Sequence, residues 1–109
     1  MVSEAVRERF LRDPLSKQLG NLAADLARIA SFAEDPADAD AVASLLEEGK
    51  YFAEWIAPQA PVETQAILAG LQLDLAIWER GWLNRRPVSR MQADAERTSR
   101  KLLTLAGLA

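Results

Sequence analysis

All five prolines of this chain stand between, never inside, the stretches whose apolar residues recur every three or four positions. Proline interrupts a helix and a three-four recurrence marks one helical face, so the chain divides into helices joined by short connections. The first long stretch follows Asp13-Pro14, and its Leu15, Leu19, Leu22, Leu26, Ile29 and Ala33 fall on one side of a helix. Asp13 is the expected N-cap there, with Pro14 at the first helical position. The acidic stretch Glu34-Asp35-Pro36-Ala37-Asp38 interrupts the pattern and offers Asp35 or Asp38 as the next cap. Val42, Leu45, Gly49, Phe52 and Ile56 mark a second helix, which Pro58 and Pro61 end. A third helix is expected over residues 61–83. The fourth carries Val88, Met91, Ala95, Thr98, Leu102 and Leu105, and Gly107 suits its C-terminal cap. Ahead of these, residues 3–12 suit a short helix with Val2, Val6 and Phe10 on one side and Asp13-Pro14 as a kink.

Four helices of roughly 20 residues, each ~30 Å long, must fold back on one another when their connections are this short. The expected fold is therefore all-α, an up-down four-helix bundle with a short extra N-terminal helical arm, forming a single domain over residues 1–109. The third helix is apolar on two sides. Stepping 100° per residue gathers Ile67, Leu68, Leu71, Leu75, Trp78 and Trp82 on one face, and Val62, Ala66, Ala69, Leu73, Ala76 and Ile77 nearly opposite. Such a helix is either central to the bundle or shared with a partner. The sequence thus predicts that the third helix is the most central and that Leu73, Ile77 and Trp82 form an interface in a homodimer, to which the Val2, Val6, Phe10 arm is a candidate contributor.

Half of the residues are apolar and 27% are charged, values of a globular domain rather than of a disordered or membrane chain. No run approaches the roughly 18 to 20 apolar residues that cross a bilayer, and residues 1–10 are charged, without the apolar core of a secretory leader. The expectation is a cytoplasmic protein without membrane contact. There is no Cys and no His. Disulfides, thiolate nucleophiles, zinc-thiolate sites, the commonest metal ligand and the usual general base are all missing. Neither a cofactor nor a transition metal is expected, and no catalytic residue is assigned. Glu47, Tyr51 and Glu54 share one side of the second helix and are the nearest approach to an acid-base pair. A solvated face explains them as well. Asp74 sits beside the Ile67, Leu71 and Trp78 face, where a buried carboxylate needs a partner, and Arg28 or Arg97 is expected to supply it.

The net charge of -3 conceals a segregation. Residues 34–79 hold ten acidic residues and only Lys50 as a base, whereas residues 80–109 hold seven bases and two acids. One reading is intramolecular, with the basic fourth helix drawn to the acidic ones. The other is a binding site: Arg85, Arg86 and Arg90 gather at the start of the fourth helix, where free backbone N–H groups also favour an anion or an acidic protein partner. The overall negative balance argues against a nucleic-acid partner.

Tyr51-Phe52-Ala53-Glu54-Trp55, the Trp78 and Trp82 pair and the closing Leu102-Leu103-Thr104-Leu105-Ala106-Gly107-Leu108 make the chain resemble short helical proteins of unknown function in cyanobacteria, mainly over residues 45–109. The resemblance implies an all-α cytosolic protein and carries over no catalytic or binding residue. The functional expectation is a helical protein-protein interaction module that self-associates. The alternatives are a small-ligand or anion-binding bundle and a carboxylate-based enzyme.

Overall fold

The computed structural model describes residues 3–107, and all regular structure among them is helical. Five α-helices follow one another: α1 (Glu4–Arg12), α2 (Leu15–Phe32), α3 (Ala39–Ile56), α4 (Val62–Leu83) and α5 (Ser89–Leu105). Short 3-10 turns at Pro36–Asp38 and Ala57–Gln59 lead into α3 and out of it. Local signals explain most of the boundaries. The Ser3 hydroxyl accepts the Val6 N–H at 3.3 Å and caps α1. Asp35 Oδ1 accepts the Ala37 N–H at 2.9 Å, so of the two caps considered, Asp35 acts, on the 3-10 turn. Gly107 follows α5 with φ 76°, a left-handed conformation that glycine adopts without a Cβ clash. Asp13 behaves differently from expectation. Pro14 itself stands at the N-cap of α2, its carbonyl accepting from Lys17 and Gln18, while Asp13 closes α1 and places its carboxylate 3.5 Å from Lys17 Nζ.

The core collects Leu19, Leu22, Leu26 and Ile29 of α2, Val42, Leu46, Phe52 and Ile56 of α3, Leu68, Leu71, Leu75 and Trp78 of α4, and Met91, Ala95 and Leu102 of α5. Three positions in the expected stripes depart by one residue: Leu105 is 42% exposed while Ala106 packs against the core, and two more lie further inside the helices. Leu46 rather than Leu45 is fully buried in α3, and Ser99 rather than Thr98 is buried in α5. Ser99 can be buried because its hydroxyl donates to the Ala23 carbonyl at 2.7 Å.

The inner helices are α2 and α3, not α4. Helix α2 packs extensively against both α3 and α5, and α3 against both α2 and α4, whereas α4 packs mainly against α3 and only lightly against α5. Side-chain size explains the order. Toward α5, helix α2 presents Ala23 and Ala30, whose carbonyls accept from the Ser99 hydroxyl at 2.7 Å and from the Gln92 amide at 2.9 Å. Small residues on both sides let these backbones approach closely. On the α3 side, Gly49 leaves room for Leu22 and Leu75, whose methyl groups come within 3.9 Å of where a Cβ would stand. Helix α4 therefore buries one face only, through Thr64, Leu68, Leu71, Leu75 and Trp78 at alternating four and three spacing.

The N-terminal arm is tied down inside the chain. Phe10 is buried, stacking on Phe52 with ring centroids 4.1 Å apart, and Trp55 tilts against both rings. Phe10 is thus covered within the chain rather than presented on the surface of the arm. Val6 is half-buried, and Val2 lies outside the described residues. No helix is long and apolar enough to cross a membrane among the described residues.

Candidate functional site

Helix α4 buries one of its two apolar faces and leaves the other open. Val62 is 75% exposed, Leu73 63% and Ile77 55%, and Ala66, Ala69, Gly70 and Ala76 between them are exposed as well. On a helical projection these residues form one stripe along the 22 residues of α4, opposite Leu68, Leu71, Leu75 and Trp78. The two-sided pattern read from the sequence is present, but only one side is used within the chain. Leu73 and Ile77 both lie on the open stripe as expected.

Because α4 and α5 touch lightly, a groove of about 420 Å³ separates them. Trp78, Trp82, Val88 and Met91 supply apolar lining, Ile77 joins it to the open stripe of α4, and Asp74, Asp94, Arg86 and Arg90 supply charge. Trp82 is half-buried and faces both this groove and a second hollow beside the turn that precedes α3. The three arginines are divided between these two places. Arg86 and Arg90 line the α4–α5 groove, while Arg85 and Arg86 line the second hollow with Glu34 and Asp40. Helix α5 starts at Ser89, so Arg90 sits in its first turn. Arg90 is 94% exposed and reaches Asp94 at only 3.8 Å. Arg85 has φ 54°, a left-handed conformation that turns the chain between the helices. Among the described residues neither Arg85 nor Arg86 makes an ion pair, and α5 is held to no acidic helix by one. Its own bridges are local, Arg97–Asp94 at 2.7 Å and Arg100–Glu96 at 2.9 Å. Comparison with protein-family models, curated proteins and solved structures finds no match to this chain.

Asp74 is half-buried and, among the described residues, forms no ion pair, contrary to the expected bridge to Arg28 or Arg97. Those two arginines are engaged by acids on their own helices, Arg28 by Asp25 at 3.5 Å and Arg97 by Asp94. The carboxyl group that is truly buried is Asp25, 2% exposed on α2. Burial pushes it up to about 8, and the Glu48 carboxylate beside it on α3 adds to the shift while Arg28 opposes it. Asp25 Oδ2 has no hydrogen-bond partner among the described residues, and its surroundings favour the protonated carboxyl, which can donate to Glu48. The sequence carried this signal, since Gln18, Leu22, Asp25 and Ile29 follow one another at four, three and four spacing. Listing only the apolar residues of α2 passes over it.

Glu47, Tyr51 and Glu54 do share one shallow hollow, together with Gln72 and the Lys50–Glu79 bridge of 2.8 Å that joins α3 to α4. Glu79 raises the Lys50 ammonium above its ordinary range. Among the described residues no three potential ligands gather as a metal site would require.

Proposed function

We propose that this chain is a cytoplasmic helical protein-protein interaction module that self-associates as a dimer through the open face of α4. The observation that carries the reading is the exposure of Val62, Leu73 and Ile77 on one continuous stripe. An apolar stripe of this extent on a small domain is characteristic of an interface, because water otherwise solvates it at a free-energy cost roughly proportional to its area. For the fold, we infer that α2 to α5 run alternately up and down. The short connections at residues 33–38, 57–61 and 84–88, the packing of α2 on α3 and of α3 on α4, and the return of α5 onto α2 support that course.

The test is the mass in solution. Light scattering of the wild-type protein should give twice 12.0 kDa. Ile77→Lys should give a folded monomer with unchanged helicity, since the side chain lies outside the core. A wild-type protein that stays monomeric at high concentration would sink the reading.

A second reading is favoured by one observation. Arg86 and Arg90 line the α4–α5 groove beside Asp74 and Asp94, Arg86 makes no ion pair among the described residues, and Arg90 is nearly fully exposed. An acidic protein partner or an anion would satisfy them, by planar, two-pronged contacts of the kind guanidinium groups form with carboxylates and phosphates.

A further inference from the structure

Resting on the proposed self-association, we infer that the partner of α4 is α4 of a second copy, packed antiparallel so that Ile77 lies level with the partner's Ala66 and Leu73 with the partner's Gly70. Side-chain size selects this register. It sets each large residue of the open stripe against a small one, and at the helix end it places Val62 over the partner's Gly81, at the lip of the α4–α5 groove.

Gly70 supplies independent support. It stands in the middle of a 22-residue helix, where glycine weakens the helix relative to alanine, and beyond its own helical turn none of the described residues lies within 4 Å of where its Cβ would be. Packing inside the chain therefore gives no reason for the missing side chain. Close approach of a leucine from a second helix gives one.

Charge selects the direction. Glu63 stands in the first turn of α4 and Arg80 in the last, both exposed, and neither makes an ion pair within the described chain. Antiparallel pairing in this register puts Glu63 level with the partner's Arg80 at both ends of the interface, and opposes the two helix dipoles favourably. Parallel pairing would bring Arg80, Arg85 and Arg86 against their own copies.

The absence of cysteine from the chain allows a direct test. Two single-cysteine proteins, Ala66→Cys and Ile77→Cys, are oxidised with copper phenanthroline alone and as a mixture. In the proposed register, residues 66 and 77 meet, whereas each lies about 16 Å along the axis from its own copy, beyond the reach of a disulfide. The mixture should give almost only the mixed dimer, and either protein alone should give little. Gly70→Leu is the second variant. It should retain the melting temperature of a folded monomer while weakening dimerisation at least ~100-fold, because a side chain now fills the gap that Leu73 enters. Cross-linking of Ala66→Cys with itself, or a Gly70→Leu dimer as tight as wild type, would overturn the register. A monomeric wild-type protein would overturn the self-association reading as well, so the two failures are told apart by the wild-type mass.

Discussion

Burial of Asp25 on α2 ties the stability of the fold to pH. A carboxyl group whose affinity for its proton is higher in the folded state than in the unfolded chain binds more protons when folded between the two pKa values. For Asp25 those are 3.8 and about 8. Its contribution to stability is thus fully present below pH 4, falls as pH rises through the neutral range, and is gone above pH 8. Each pH unit within that window removes at most about 1.4 kcal/mol. Asp25→Asn abolishes the dependence, because the amide carries no proton to lose and still donates to Glu48. The variant should melt at nearly the same temperature at pH 5 and pH 8 and exceed the wild type at pH 8, by roughly 1 to 3 kcal/mol. A wild-type melting temperature that rises from pH 5 to pH 8, or an Asn variant that tracks the wild type, would show that Asp25 is ionised in the fold.

At the scale of the element, what the sequence makes legible is what each helix decides locally. Proline positions and three-four spacing depend on neighbours along the chain, and they place α2 to α5 to within a few residues. The partner of a helical face is set by distant residues, and there the sequence is silent. The second apolar face of α4 is the same string of letters whether it is central or open, and the alanines that make α2 central become meaningful only once α5 is seen to lie against them. The arginines illustrate the same limit. Spacing puts Arg85, Arg86 and Arg90 at the head of α5, but the left-handed turn at Arg85 divides them between two hollows. Their lack of firm partners within the chain leads to a prediction for this element. Replacing all three by alanine should lower stability by less than about 1 kcal/mol, since an exposed ion pair contributes ~0 to 1 kcal/mol and, among the described residues, these arginines make only the Arg90–Asp94 pair. The same change should abolish a salt-sensitive interaction with a carboxylate-rich peptide. A marked fall in melting temperature without loss of binding would make these arginines structural.

For the whole molecule, the order of packing determines the order of opening. Its Cα radius of gyration is 13.2 Å, about that expected for a folded chain of this length, and a single core runs through all five helices. That core is not equally held at every point. Helix α2 is covered by α3 on one side and by α5 on another, with hydrogen bonds from Ser99 and Gln92 ending on its backbone. Helix α1 is held chiefly by the stacking of Phe10 on Phe52 and Trp55, with half-buried Leu11 beside it. Local opening draws on the contacts each element must break, so amide exchange measured on the native protein should be slowest in α2, near the global unfolding free energy, and fastest in α1. Leu26→Ala, at a fully buried position of α2, should cost ~2 to 5 kcal/mol and speed exchange throughout the chain. Phe10→Ala should speed exchange in α1 and leave α2 to α5 nearly unaffected. If α4 rather than α2 proved the slowest, with exchange there falling further as concentration rises, its open face would be contributing as much through the second copy as α2 does within the first, and the hierarchy derived from the single chain would be replaced by that of the dimer.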